Sequence, residues 1–127
     1  MTYISSQIFV GMGAIPENAD AFSSQEFDPS KCSTQALSII PDLSATVNPN
    51  TGRWAVLGGN KSNNVSDMVT VRDENGTAFT NQTLQTPFVK QFFPFKYIAI
   101  QYSHTGDAGA GTITFYYEQK IQKVTLS

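Results

Sequence analysis

Tyr97-Ile98-Ala99-Ile100-Gln101-Tyr102-Ser103, Gly106-Asp107-Ala108-Gly109-Ala110-Gly111 and Thr112-Ile113-Thr114-Phe115-Tyr116-Tyr117 decide the fold class of this chain. In the first run Ile98, Ile100 and Tyr102 fall on one side, and Tyr97, Ala99 and Gln101 on the other. In the last run Ile113, Phe115 and Tyr117 align. A strand turns successive side chains to opposite faces, so this alternation marks two strands that each bury one face. The small-residue stretch between them reads as the turn of an antiparallel hairpin.

Working outward, Leu37 and Ile39 share a phase within Gln35–Val47, and Leu43, Ala45 and Val47 continue it. Pro41 lacks a backbone N–H, which predicts a bulge, bend or edge there. Trp54 and Val56 alternate in Arg53–Gly58, and Val69 and Val71 in Asp67–Arg72. Asn75-Gly76 has the composition of a type I′ hairpin turn. Thr77–Thr83 and Pro87–Phe93 read as weaker strands, Gln7–Val10 as a short first strand and Gln119–Leu126 as a final one. Gly11–Ser30, with Pro16, Pro29 and little apolar content, reads as an irregular N-terminal arm that gains order by lying on a partner. No stretch keeps a 3.6-residue apolar period. The pattern predicts an all-β chain: a single-domain antiparallel β-sandwich, jelly-roll-like, spanning residues 1–127 with little or no helix. The expected core is Leu37, Ile39, Trp54, Val56, Val69, Ile98, Ile100, Ile113 and Phe115.

The 127 residues suit one domain with a real core. One cysteine, Cys32, excludes an internal disulfide and a cysteine-based zinc site. Eight basic residues are scattered along a chain of net charge −2, which is no footprint for nucleic acid or anionic lipid. There is no basic, apolar leader and no apolar run long enough to span a membrane as a helix. Together with Met1 this predicts a complete intracellular product. Few charges, at 14%, and many neutral polar residues suit a β protein whose surface is covered in an assembly.

Catalytic constellations are weak. Cys32 and His104 are the sole members of their kinds, and nothing around either resembles a nucleophilic pair with an orienting third group. Asp73-Glu74-Asn75-Gly76 supplies too few oxygens for calcium and reads as a turn. Gly106–Gly111 is followed by a strand, whereas a phosphate loop needs a helix behind it. Four Asn-x-Ser/Thr triplets begin at Asn60, Asn64, Asn75 and Asn81, but glycosylation needs secretion. No catalytic, metal or cofactor residue is therefore assigned.

The aromatic load remains. Alternation buries only about half of the aromatics crowded between Phe88 and Tyr117. Tyr116 is out of phase with its neighbours, and Phe92, Phe93 and Phe95 gather around Pro94. These four, with His104 at the mouth of the expected hairpin, are the candidate partner-binding residues, since aromatics concentrate at interfaces and at sugar platforms.

Gln35-Ala36-Leu37-Ser38-Ile39, Thr51–Asn60 (TGRWAVLGGN), Tyr97-Ile98-Ala99-Ile100-Gln101-Tyr102 and Gly109-Ala110-Gly111-Thr112-Ile113-Thr114-Phe115 together resemble the layout of small discoidin-like or jelly-roll β-sandwich proteins of tailed-phage virions. The resemblance implies a non-enzymatic virion structural protein. The part it implies first is a capsid decoration or auxiliary (cement) protein that binds the major capsid protein or neighbouring subunits in many copies. Its place would be the virion, assembled in the bacterial host cytoplasm. The alternative is a carbohydrate- or receptor-binding module of a phage fiber or tail, with a glycan as ligand.

Overall fold

The computed structural model describes residues 2–26, 34–48, 50–105 and 109–124. The strands are β1 (Thr2–Pro16), β2 (Ala21–Glu26), β3 (Thr34–Leu43), β4 (Gly52–Gly59), β5 (Val69–Thr70), β6 (Phe88–Lys90), β7 (Tyr97–His104) and β8 (Thr112–Val124). The helical content among the described residues is one 3-10 turn, Val65–Asp67. The fold is all-β, as the alternation predicts.

Two four-stranded antiparallel sheets form, in the orders β1-β8-β3-β6 and β2-β7-β4-β5. Every connection except β4–β5 crosses from one sheet to the other. This interleaving is the jelly-roll arrangement, two Greek keys wrapped into a double sheet. It overturns the hairpin expected between Tyr97–Ser103 and Thr112–Tyr117. β7 pairs with β2 and β4, whereas β8 pairs with β1 and β3. Alternation shows that each strand has a buried face. It does not distinguish a partner beside the strand from one in the facing sheet.

The inner faces meet in one core. Trp54 of β4 packs on Phe115 of β8 with ring centroids 5.1 Å apart, and Phe79 meets Phe88 edge-on at 5.2 Å. Leu37, Ile39, Trp54, Val56, Ile98, Ile100, Ile113 and Phe115 are all buried as expected. Val69 is not: it is 61% exposed, and Val71 is buried instead. β5 is a two-residue edge strand paired only with Leu57–Gly58, so Val69 has a neighbour on one side alone. The expected strand over Asp67–Arg72 shrinks to that pair, and Thr77–Thr83 contributes only the isolated bridges Arg72–Ala78 and Trp54–Gln82.

The irregular arm expected over residues 11–30 is corrected for residues 11–26; residues 27–30 lie outside the described residues. β1 runs to Pro16, paired with β8 along its length with irregularities between Val10, Met12 and Ile15. Residues 21–26 form β2 against β7. Main-chain pairing with a central strand orders a segment of which Ile15 and Ala21 alone pack against the core among the described side chains, and composition does not register that pairing. At Pro41 the edge expectation holds, because β6 covers β3 only from Leu37 to Ile39.

Asn75-Gly76 makes no type I′ turn. Gly76 has φ +81°, but the one non-glycine residue with positive φ among those described is Asn81. The Asp73 carboxylate instead accepts the N–H groups of Asn75 and Thr77 at 2.9 and 3.0 Å. The acidic cluster thus serves the turn.

Candidate interaction surface

The five candidate residues do not converge. Phe93 is 3% exposed and closes the core, with its ring edge-on to Phe88 at 6.5 Å and to Phe95 at 5.6 Å. Phe95 is partly buried against the same cluster and lies where a Cβ on Gly58 would meet its ring at 2.6 Å. Phe93 is therefore a core residue, and Phe95 packs against the core. Phe92, between them and β6, is 69% exposed.

Tyr116 stands on the outer face of β8, out of phase with buried Phe115 and Tyr117. The register sets Ile40 of β3 directly beside it, and Val10 of β1 opposite it on the other side. Ile40 and Tyr116 are both exposed. Exposed Val89 of β6 lies one row along, opposite Ser38, which is opposite Glu118. Beside Val89 a shallow cavity of about 190 Å³ is lined by Ala36, Ser38, Glu74, Lys90 and Glu118. The outer face of the β1-β8-β3-β6 sheet thus carries exposed Ile40, Tyr116 and Val89. Ile40 and Val89 escaped the sequence reading. The Ile39-Ile40 doublet was the available signal, because in an alternating strand one member must face out.

His104 lies on the other sheet, at the end of β7. Its backbone N–H donates to the Asp20 carboxylate at 3.0 Å, and its Nδ1 lies 2.7 Å from the same oxygen. The His104 backbone N–H, and then its ring, hold the Asp20 carboxyl below the usual carboxylate range. Cys32, the other half of the Cys–His pair weighed above, lies outside the described residues. No group of three or more metal-ligating side chains occurs among the described residues.

One buried acid stands apart. Glu17 is fully buried, and its Oε1 accepts the Gly111 N–H at 2.9 Å. Its backbone N–H donates to the Gly111 carbonyl at 2.9 Å, and its carbonyl accepts the Tyr102 hydroxyl at 2.6 Å. Burial raises the Tyr102 hydroxyl pKa, with the Glu17 charge adding to it. The arrangement clamps the β1–β2 turn to the start of β8 and to β7.

No protein-family model, no curated protein and no solved structure matches this chain.

Proposed function

We propose that this chain is a non-enzymatic structural protein of a tailed-phage virion, a capsid decoration protein that cements the assembled shell. The observation that carries the reading is the exposed Ile40–Tyr116 pair, with Val89 nearby, on the outer face of one sheet. Interface centres are depleted in charge and enriched in aromatics. Jelly rolls recur in viral capsid and lectin domains. A fold alone assigns no function, so the architecture supports the reading by analogy only. The resemblance of the strand motifs to phage virion proteins points the same way.

The mechanism is mass action. A protein that binds only the folded, assembled lattice stabilises it in proportion to its occupancy. Many copies, each contributing one apolar face, would stiffen the shell without chemistry. The expected partner is the major capsid protein or a neighbouring structural subunit, and the expected location is the virion.

The test is incorporation. Particles purified from the lysate that produces the chain should contain it in many copies. Ile40→Asp combined with Tyr116→Ser should abolish incorporation while leaving the melting temperature of the free protein nearly unchanged, since both side chains are exposed. Undiminished incorporation of that variant would overturn the reading.

A further inference from the structure

We infer that β1 is the contact edge of a homodimer: Thr2–Val10 pairs antiparallel with the same segment of a second copy, joining two four-stranded sheets into one continuous sheet. The inference does not rest on the virion reading. β1 ends its sheet, with β8 on one side and no strand on the other among the described residues. Its regular part is Thr2–Val10, an unbroken ladder with β8 that stops where the register shifts between Val10 and Met12. A strand of that length spans ~30 Å. Half of its main-chain N–H and C=O groups point away from β8, as in any edge strand, and form a template for another strand.

The other three sheet edges are blunted in the ways that keep monomers apart. β5 is two residues long and β6 three, ending in Lys90. β2 has six residues, follows Asp20 directly and ends in Glu26. Short edges and edge charges both discourage pairing with another chain. β1 is different. It is 15 residues long, and its sequence TYISSQIFVGMGAIP holds no Asp, Glu, Lys or Arg. Its one proline is its last residue, and its register shifts fall beyond Val10. Thr2–Val10 therefore has none of the usual protection, although Tyr, Ile, Phe and Val give it high strand propensity. Such an edge aggregates unless it is covered.

The sequence of the segment says what covers it. A two-fold axis through Ser6 sets Thr2 opposite Val10, Tyr3 opposite Phe9, Ile4 opposite Ile8, Ser5 opposite Gln7 and Ser6 opposite itself. Aromatic meets aromatic, Ile meets Ile, β-branched meets β-branched and polar meets polar. Cross-strand pairs of this kind are the unit of sheet stabilisation. Moving the axis by one residue, to Ser5 or to Gln7, shifts the pairing by two and sets Ile4 or Ile8 opposite Ser6, which loses the match. The parity also fits. Each residue meets one of the same phase, so outward-pointing groups face outward-pointing groups and about eight to ten main-chain hydrogen bonds form. An isologous contact needs one self-complementary patch, and Thr2–Val10 is one. The joined sheet then ends on both sides at β6, an edge too short to extend it.

The experiment measures the mass of the full-length protein by sedimentation over a concentration series, with circular dichroism to check each variant's fold. The parent should be a dimer. Ser6→Glu places two carboxylates against each other at the axis and should weaken the dimer about tenfold. Within one chain, position 6 lies opposite Lys120 of β8, so an acid there suits the ladder that the fold needs. Ile40→Asp with Tyr116→Ser should leave the dimer unchanged, which separates this edge from the outer face. Cross-linking then reads the register in a Cys32→Ser background. Ser6→Cys should form a disulfide-linked dimer under mild oxidation, since opposite Cα atoms ~5 Å apart suit a disulfide. Thr2→Cys should not, because each copy then lies ~27 Å from its equivalent. The inference is overturned by a parent that stays monomeric into the high micromolar range, including one whose β1 pairs only with another protein. It is equally overturned by a folded Ser6→Glu variant that dimerises as the parent does, or by Thr2→Cys cross-linking as readily as Ser6→Cys.

Discussion

Glu17 is where a single side chain contributes most to joining separate parts of the chain. It is buried in the β1–β2 turn, and it accepts a backbone N–H from the start of β8 while its own backbone is bonded to β7. Its second oxygen, Oε2, has no hydrogen-bond partner among the described residues. Leaving a buried donor unpaired costs about 1–3 kcal/mol. Glu17→Ala strands the Gly111 N–H, and a loss of that size is expected in chemical denaturation. Glu17→Gln keeps the acceptor and carries no charge into the interior, so it should lose clearly less. Equal losses for the two variants would mean that the hydrogen bond to Gly111 contributes little. Nothing in the sequence marks this residue. Glu17 falls in the stretch that reads as an irregular arm, and its burial arises because Gly111, 94 positions further along the chain, is bonded to it.

At the scale of elements, β2 is the segment least legible from composition. Its burial is intermediate throughout except at exposed Phe22 and Glu26, and among its side chains only Ala21 reaches the core cluster. It is held by its ladder to β7 and by clips at both ends. Lys96 lies 3.4 Å from Glu26 at one end, and His104 binds Asp20 at the other. Asp20 sets the acid sensitivity of the second clip. Its folded pKa is lowered, first by the His104 backbone N–H. Its stabilising contribution is thus complete above its unfolded value, near 3.9, and is lost as pH falls through the lower folded value. Asp20→Asn should melt earlier than the parent at neutral pH. That gap should close as the pH is taken from about 5 down to about 2. A gap that stays constant over this interval would place the effect in packing rather than charge. Asp67, lowered first by the Ser62 hydroxyl, titrates in the same sense at the far edge of the sheet.

For the whole molecule, the interleaved topology changes what an N-terminal truncation does. As an irregular arm, residues 1–30 would be dispensable for the sandwich. In the jelly roll they supply β1 and β2, the edge strand of each sheet beside a central one. Removing them uncovers one side of β8 and one side of β7, and open strand edges template aggregation. The truncated chain is expected to be insoluble or unfolded, as judged by circular dichroism and amide shift dispersion. A soluble fragment with native-like dispersion would show that the remaining strands suffice alone.

The sequence by itself determined the class and most of the inner faces. Leu37, Ile39, Trp54, Val56, Ile98, Ile100, Ile113 and Phe115 are buried because period-two alternation is local, set by the pleat of each strand whatever its neighbours are. The tertiary structure decided the rest. Which strands pair, and hence that β7 and β8 belong to different sheets, depends on contacts far apart in sequence. So do the inward turn of Phe93 and the exposure of Val69 at an edge. Each of these follows from what lies across a sheet or beside an edge, and alternation along a single strand carries no record of that.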